Sequence, residues 1–589
     1  MKEQSRNGGS AEKRILILLF AAALLRIGFS VASGIWFPPV ESCDDVLMLE
    51  YASLRHHFTE PNLYSLAKYL SYPLFLAGVR VSHLPYAVVT GILWSAAAFF
   101  TRHLFRELTR QKYVPEFLFF YVLFLPAGFE TSAGLRMYRN GILAPFTILT
   151  LGLILLCMKR VFLPAERKRG AEKHLLLPAV LGAVFTFTYY VKEDGIWFLA
   201  VLLFSDVLLG VNLLVSHLKK QGQGSVPVRA ALRTALLPIL VFAAVTGASL
   251  LIHHHFFGVY ELNTRTGGET GAFVQKVYAI RSDADSDTVW SPLDAIDRAF
   301  EASETLKSRE GLYDALMRNP WSSGDLSANA LQGDYLTWAL RYALNEASGG
   351  VYDEAGNEAF FRRVNAELDQ AFRDGRLPKT DRIRLLPSAG SKSPSDVLGI
   401  LSLTWEGLKG GVWLSGYAAG IHPGAAAQTA LPGYEGVLRD AAAFANTPYL
   451  VDYEQGKGVR EAAAAAASVL MAVDRVVNVI LLGASILSLI AAAVRLFRGR
   501  RGGQAAPGDI PAAKVPYGLC TLFFLGLGAL YTFSICWFSS FLHADGVRME
   551  IMNFYTVSLP AILVFAYGCG LSGLFKTLFS GGKVRGDVL

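Results

Sequence analysis

The stretch Ile15–Trp36, with the sequence ILILLFAAALLRIGFSVASGIW, carries only one charged residue, Arg26. A helix needs about 20 mostly apolar residues to cross the roughly 30 Å hydrocarbon core of a bilayer. The stretch therefore predicts a transmembrane helix. It is too long for the apolar core of a cleavable signal peptide, and no small-residue cleavage site of the usual kind follows it.

Similar apolar runs recur along the rest of the chain. Of its 589 residues, 52% are hydrophobic and only 17% are charged, and the mean hydropathy is +0.36. These values are unusual for a soluble globular protein. The predicted spans are 15–36, 84–101, 115–131, 141–158, 174–191, 195–216, 234–252, 476–497, 515–540 and 554–575. The sequence thus predicts an all-α polytopic membrane protein with about ten transmembrane helices.

A long polar interval separates the seventh run from the eighth. The predicted parts are residues 1–256 with seven spans, 257–470 as a mainly helical polar domain, and 471–589 with three spans. Within the polar domain, apolar residues at three- and four-residue spacing predict helices over Asp294–Met317, Tyr335–Ala347 and Glu358–Phe372. The alanine-rich stretch Arg460–Val473 is expected to continue as a helix into the eighth span.

Basic residues cluster beside alternate ends of the spans, as in the pairs Arg102/Arg106 and Lys159/Arg160. The positive-inside rule then places both termini in the cytoplasm and the domain 257–470 outside the cell membrane. The net charge of +7 is therefore interpreted as a record of membrane orientation. It does not indicate a nucleic-acid partner.

Two adjacent acids, Asp44 and Asp45, follow the first run and fall in the predicted external loop 37–83. Neighbouring like charges raise the pKa of one member of a pair, which suits a general base. Alternatively, the pair belongs to a solvated loop or caps a helix over Val46–Arg55. The position directly after the first span favours a catalytic role, in which a carboxylate activates an acceptor against a lipid-carried substrate.

Further ionisable residues fall in loops on the same predicted face. They are Lys68 in the first loop, Arg136 and Arg139 after the third run, Lys192, Glu193 and Asp194 between the fifth and sixth, and Arg548 before the tenth. Ionisable residues at the boundary of a bundle commonly line a site. Alternatively, Arg136 and Arg139 snorkel at a span end, or Lys192 and Glu193 form a surface ion pair. Arg26 should face the bundle and meet a partner or a lipid phosphate, because an unpaired charge inside a span is costly.

Several of these residues stand in an order that resembles a known family. The run CDDVLMLEYASLR (43–55), followed by Lys68 and SYPLFLAG (71–78), resembles the first external loop of the GT-C membrane glycosyltransferases, such as protein O-mannosyltransferases and the aminoarabinose transferase of lipid A. Those enzymes carry an acidic pair there, then a helix with a Tyr, then a Lys and a Pro-containing amphipathic helix. YVKEDGIWFL (190–199) is similar to the basic turn that opens their sixth span. RMEIMNFYTVSLP (548–560) is similar to their Arg-Tyr-Pro segment before a late span.

The resemblance covers the seven-span module and the order of the parts, including a large outer segment between spans seven and eight. It does not extend to the sequence of that outer segment. The chain departs from the family pattern at two positions. The second acid is Asp45 where Glu is commoner, and a single proline, Pro73, follows Lys68.

The resemblance implies a GT-C-like fold and the transfer of a sugar, with inversion, from a polyprenyl-phosphate donor to an envelope glycan, lipid or protein at the outer membrane face. Asp44 matches the general base, and Asp45 would orient the acceptor or hold a basic group. The residues expected to bind the donor phosphate are Lys68, Arg136, Arg139, Lys192 and Arg548; further site candidates are Arg26, Glu193, Asp194 and Tyr555. No cofactor is required. A divalent metal is optional, since a polyprenyl phosphate is already a good leaving group. His56–His57, His253–His255 and the acidic pair could bind one, but their spacings match no metal motif.

Two other functions fit a polytopic chain. A transporter or flippase for a lipid-linked saccharide would need a polar path and commonly shows two similar halves, whereas this chain divides into seven and three spans. A non-catalytic envelope scaffold would not need so many spans. In the polar domain, aromatic residues either stack on sugar rings or form its core; they include Trp290, Trp321, Trp338, Trp405 and Trp413.

Overall fold

The computed structural model describes residues 2–40, 44–109, 111–162, 175–218, 228–318, 330–425, 427, 432–501 and 516–579. The structure is 73% helical and 3% strand. This composition confirms the all-α class predicted from the sequence. The small strand content comes from one antiparallel pair, β1 (Val289–Pro292) and β2 (Ala330–Gln332), with a register shift between Val289 and Ser291.

The described helices fall into three parts of the chain. In the first module they are α1 (Lys2–Ser33), α2 (Asp44–Ala52), α3 (Leu54–Thr59), α4 (Ser71–Ser82), α5 (Tyr86–Leu108), α6 (Tyr113–Leu123), α7 (Asn140–Phe162), α8 (Leu176–Tyr189), α9 (Ile196–Leu218) and α10 (Val228–Phe257). In the polar segment they are α11 (Gly268–Val277), α12 (Leu293–Ala302), α13 (Glu304–Ser308), α14 (Leu312–Arg318), α15 (Tyr335–Ala347), α16 (Glu354–Arg373), α17 (Pro394–Trp413) and α18 (Glu435–Ala445). In the last part they are α19 (Lys457–Arg501), α20 (Tyr517–Ser539), α21 (Met549–Tyr555) and α22 (Leu559–Phe579).

Eight helices among the described residues are long and apolar enough to cross a membrane. They are Glu12–Ser33, Tyr86–Leu108, Asn140–Phe162, Glu193–Val215, Val228–Phe257, Lys457–Arg495, Tyr517–His543 and Leu559–Leu578. The third and fifth predicted spans form shorter apolar helices, Tyr113–Gly128 and Leu176–Tyr189. The chain is therefore a membrane-embedded helical protein, with eight full-length candidates and two short ones at the ten predicted places.

Helices α7 and α22 form the centre of the membrane part, because both are largely buried by their neighbours. Small residues allow α19 to approach α22 closely. A methyl group at Gly570 would lie 2.7 Å from the Cα atom of Ser485. Close approach through small residues is a usual way to pack helices in lipid, where the hydrophobic effect does not drive association.

The polar segment has its own core and also packs on the last three helices. Its buried cluster includes Leu340 and Phe361 together with Trp537, Phe541 and Met552 from the C-terminal part. The segment is therefore seated on the membrane helices. This contact places its residues close to the charged loops described below.

Two of the predicted helices of the polar segment are confirmed. Tyr335–Ala347 forms a helix with the predicted bounds, and Glu358–Phe372 lies within Glu354–Arg373. The prediction of one helix over Asp294–Met317 is wrong, because this stretch forms α12, α13 and α14. Ser303 begins α13 by accepting the Leu306 backbone N–H, and Gly311 adopts a positive φ of 75° before α14.

The alanine-rich stretch before the eighth span is helical, as predicted. It belongs to one continuous helix, α19, of 45 residues. The domain boundary that we placed at residue 470 lies inside this helix. The chain therefore passes from the polar segment into the membrane without an interruption.

Candidate functional site

Backbone pairing brings the segment after α1 beside the loop that precedes α7. The Trp36 N–H donates to Leu135 O at 3.0 Å, and the Met137 N–H donates to Trp36 O at 2.9 Å. The Trp36 indole also donates to Thr131 O at 2.7 Å. This pairing holds the start of α2 next to Arg136.

Both adjacent acids lie in the first turn of α2. The Asp45 carboxylate is fully buried and accepts two hydrogen bonds from Arg136, one of them from Nε at 2.8 Å. The Arg136 guanidinium also lies 5.3 Å from the Phe554 ring centre. Burial raises the pKa of Asp45, although the charge of Arg136 opposes this shift. Asp45 is therefore held by Arg136 and has no surface accessible to solvent.

Asp44 faces the opposite way and is 28% exposed. Its Oδ2 atom accepts from Lys68 Nζ at 2.7 Å, from the Tyr138 hydroxyl at 3.0 Å and from Arg139 at 3.3 Å. Burial raises the pKa of this carboxyl, but the charges of Lys68, Arg139 and Arg265 outweigh burial and hold the pKa at about 2. Asp44 is thus an ionised and accessible carboxylate surrounded by cations.

Glu193 contacts Lys68 and Arg139, the same two cations that contact Asp44. Its carboxylate lies 2.5 Å from Arg139, 3.4 Å from Lys68 and 3.9 Å from Arg265. These three cations come from three separate segments of the chain. The pKa of Lys68 lies below its usual value, because burial and the neighbouring charge of Arg265 outweigh the opposing effect of Asp44 and Glu193. Glu193 therefore occupies a place where several cations converge on one negative charge.

Arg265 belongs to the site although we did not predict it. It lies in the connection after α10, where its guanidinium donates to Asp334 at 3.1 Å and to Thr337 at 3.0 Å. Its guanidinium carbon is 5.0 Å from the Trp338 ring centre, and Lys68 Nζ is 5.6 Å from the same ring. A signal was present in the sequence, because Arg265 follows the seventh apolar run closely, as Asp44 follows the first.

Lys192 is buried and its ammonium has no hydrogen-bond partner among the described residues. Its nearest acid is Asp194, at 3.8 Å. The ammonium lies 5.2 Å from the Tyr555 ring centre and 5.9 Å from that of Phe554. Burial lowers the pKa of Lys192, against the opposing charge of Asp194. Hydrogen bonds therefore neutralise the charge of Lys192 less than that of any other cation in the cluster.

Two predicted residues lie outside this cluster. Arg548 is exposed, and among the described residues no ion pair or side-chain hydrogen bond connects it to Asp44 or its partners. Its backbone N–H donates to His543 Nδ1 at 3.2 Å. Arg26 faces the bundle, as predicted, and its guanidinium carbon lies 4.0 Å from the Phe129 ring centre. It donates to Gly128 O at 3.5 Å and forms no contact with the acidic pair.

Residues of the polar segment hold the loop that carries Lys68 through hydrogen bonds. Arg341 is fully buried and donates to Leu63 O at 2.6 Å and to Ser65 O at 2.5 Å. Its charge is balanced by Glu354 at 2.7 Å. The backbone N–H of Thr264 donates to Leu66 O at 2.9 Å. The position of the Lys68 ammonium therefore depends on residues of the polar segment.

The tryptophans of the polar segment have different environments. Trp290 is buried in the core, whereas Trp338 lies between the cations Lys68 and Arg265. Trp405 and Trp413 are exposed. Trp321 lies outside the described residues. Core packing thus accounts for Trp290 and in part for Trp338, but not for the exposed Trp405 and Trp413.

The site as a whole contains as many carboxylates as cations. The carboxylates are Asp44, Asp45, Glu193, Asp194 and Asp334, and the cations are Lys68, Arg136, Arg139, Lys192 and Arg265. Such a site can accept an anion and hold an ionised carboxylate beside it. Among the described residues, no group of three or more His, Cys, Asp and Glu residues could hold a metal ion. No protein-family model, curated protein or solved structure matches the chain.

Proposed function

We propose that the protein is a GT-C-type membrane glycosyltransferase. It moves a sugar, with inversion, from a polyprenyl-phosphate donor to a hydroxyl group of an envelope glycan, lipid or protein. The observation that carries the proposal is the accessible, ionised Asp44 beside the cations Lys68 and Arg139. A general base next to phosphate-binding cations is what this transfer requires.

In the proposed reaction, Asp44 accepts the proton of the acceptor hydroxyl. The acceptor oxygen attacks the anomeric carbon from the face opposite the phosphate. The bond between that carbon and the phosphate oxygen breaks, and the polyprenyl phosphate leaves with the bonding electron pair. Lys68 and Arg139 stabilise the negative charge that develops on the phosphate, and Lys192 lies within the same cluster to add a third positive charge.

A carboxylate with a pKa of about 2 is a weak base, so the resting arrangement needs a change. The donor phosphate competes with Asp44 and Glu193 for Lys68 and Arg139. As these cations turn to the phosphate, the pKa of Asp44 rises toward its usual range. Donor binding would therefore strengthen the base at the moment when it is needed.

Glu193→Gln is expected to tighten donor binding. The substitution keeps the shape of the side chain but removes the charge that competes for Lys68, Arg139 and Arg265. A charged hydrogen bond contributes about 1.5–3 kcal/mol, so the Kd for a polyprenyl phosphate should fall by about 10- to 100-fold. The Kd of each variant is measured by thermophoresis with the protein in nanodiscs.

The matched control for this measurement is Glu107→Gln. Glu107 pairs with Lys159 away from the site, so the Kd should not change. An unchanged or higher Kd in Glu193→Gln would mean that Glu193 holds the cations in place and does not compete with the phosphate.

We also infer the orientation in the membrane. Ten spans, including the two short helices, would put both termini in the cytoplasm and the polar segment outside, in the cell membrane. The basic residues beside alternate span ends support this orientation. Reporter fusions after Phe257 and before Lys457 should show activity only on the outer side.

The test of the function is the turnover of a panel of radiolabelled polyprenyl-phosphate sugars by protein in liposomes, with envelope extract as the acceptor. We expect one donor to be consumed in an acceptor-dependent way, and Lys68→Met to slow its consumption by at least about 100-fold, since removing one charge-stabilising donor commonly costs that much. Lys276→Met, which removes the partly buried partner of the exposed Asp369, is the control.

The rival functions predict other outcomes of the same assay. A flippase would move the labelled donor across the liposome membrane without consuming it. A scaffold would do neither. Either result would overturn the transferase proposal.

A further inference from the structure

Helix α17 belongs to the polar segment, yet it packs directly on helices that enter the membrane. A Cβ atom at Gly407 would lie 2.9 Å from Thr532 Cγ2 of α20, and one at Gly411 would lie 2.5 Å from Leu559 of α22. Near the end of the helix, Asn478 of α19 donates to Val412 O at 3.0 Å. One face of α17 is thus covered by membrane helices.

The opposite face of α17 is apolar and uncovered. Leu398 is 69% exposed, Leu401 50%, Trp405 61% and Trp413 54%. The spacing of these residues places them along one side of a helix. An exposed and mostly apolar strip of this kind, interrupted here by Lys409, normally marks a surface that contacts a partner or a membrane.

Both ends of α17 lie near the same boundary of the membrane helices. Before its first residue, Lys392 Nζ donates to Ser540 Oγ at 2.9 Å, directly after the end of α20. At its last turn, Val412 accepts from Asn478, shortly after Asp474 and Arg475 in α19. Charged residues and span ends mark the level where a bilayer meets water. Helix α17 therefore lies at the ends of these spans and does not cross the bilayer, but it slopes along α20, because its contacts move from Ser540 beside Lys392 to Thr532 beside Gly407.

We propose that α17 is an interfacial helix whose exposed face contacts the lipids of the bilayer. The spans on which α17 packs also expose apolar side chains, and Val476, Ile480 and Leu530 are all more than half exposed. Trp405 and Trp413 are residue types that concentrate at membrane interfaces. The one ion pair on this side, Lys409 with Glu406 at 2.7 Å, suits a headgroup level.

The lipid contact has a consequence for the cluster around Asp44. A Cβ atom at Gly416, just beyond α17, would lie 2.9 Å from the Met549 backbone, and Asn553 of α21 donates to Ser415 O at 2.8 Å. Helix α21 in turn carries Phe554 and Tyr555 into that cluster. The positions of Phe554 and Tyr555 in the cluster therefore depend on the contact of α17 with the bilayer surface.

Site-directed spin labelling in nanodiscs tests the proposal. A nitroxide is attached at Leu401→Cys and, as a second position, at Leu398→Cys. The matched control is Arg362→Cys, on an exposed face of α16, and Leu530→Cys is the lipid-facing reference. The signal of labelled wild type is subtracted to remove the native cysteines. Collisions with oxygen, which concentrates in lipid, are compared with collisions with a water-soluble nickel chelate.

We expect the oxygen-to-nickel ratio at positions 398 and 401 to exceed that at position 362 severalfold and to approach that at position 530. A ratio equal to that at position 362 would place the face in water and overturn the proposal. Protection from both reagents would mean that protein, such as a second copy of the chain, covers the face, which also overturns it. Sugar transfer does not enter the measurement, so it is independent of the proposed function.

Discussion

Asp44→Asn should lower the turnover number for sugar transfer by about 10²–10⁴-fold, the usual contribution of a general base. The amide keeps the shape of the side chain but cannot accept the acceptor proton. The same substitution removes a negative charge from Lys68 and Arg139. The Kd for the donor should therefore stay equal or fall while turnover collapses. Steady-state kinetics together with direct donor binding separate these two effects.

Asp334→Asn is the control for that variant. Asp334 belongs to the same charged cluster and binds Arg265 at 3.1 Å, but it has no contact with the other candidate catalytic groups. We expect its turnover to remain within about tenfold of wild type, as for a loss of about 1.4 kcal/mol or less. Equal losses in the two variants would make Asp44 a structural residue and would remove the main support for the transferase.

Arg341→Met should destabilise the protein by about 3–5 kcal/mol, because it leaves Glu354 charged and buried without its partner. The two side chains are 0% and 2% exposed. Arg341 also holds Leu63 O and Ser65 O, so the loop that positions Lys68 loses its clamp. The midpoint of thermal unfolding should fall. It is measured in detergent by intrinsic fluorescence.

Two further variants isolate the reason for this loss. Arg318→Met removes one partner of an exposed pair at 3.0 Å and should cost less than about 1 kcal/mol. The double variant Arg341→Met/Glu354→Leu removes both buried charges and should recover part of the lost stability. A double variant that recovers no stability over Arg341→Met alone would show that the lost hydrogen bonds to the loop, and not the unpaired charge, dominate.

The membrane helices and the meeting of several loops follow from the sequence. Apolar runs of sufficient length have few alternatives to a spanning helix, and alternation of the spans then assigns their loops to two faces. Those two rules were enough to group Asp44, Lys68, Arg139 and Glu193, which the structure brings into direct contact. The roles of these residues stay predictions.

The remaining members of the site depend on tertiary packing, which local patterns do not contain. Arg265 and Asp334 reach the cluster only because the polar segment is seated on the membrane helices. The loop before the last span enters the site through the rings of Phe554 and Tyr555, while Arg548 points away from it into solvent. Sequence distance from a span end cannot distinguish these two outcomes.

The acidic pair shows why charge spacing alone is a poor guide to pKa. We expected one of two adjacent acids to have a raised pKa and to serve as the base. The raised pKa belongs to Asp45, which is buried against Arg136, while the accessible Asp44 is held at about 2 by its cations. Burial and partners from distant segments outweigh the effect of the adjacent residue.

The continuous helix α19 gives the molecule a mechanical property. Its 45 residues contain no proline, and proline is the usual cause of a sharp kink. The helix is about 68 Å long, at 1.5 Å per residue, roughly twice the thickness of the bilayer core. It therefore acts as a stiff lever: a tilt of about 5° at one end moves the other end by about 6 Å. The part of α19 in the polar segment and its part among the membrane helices can therefore tilt only together.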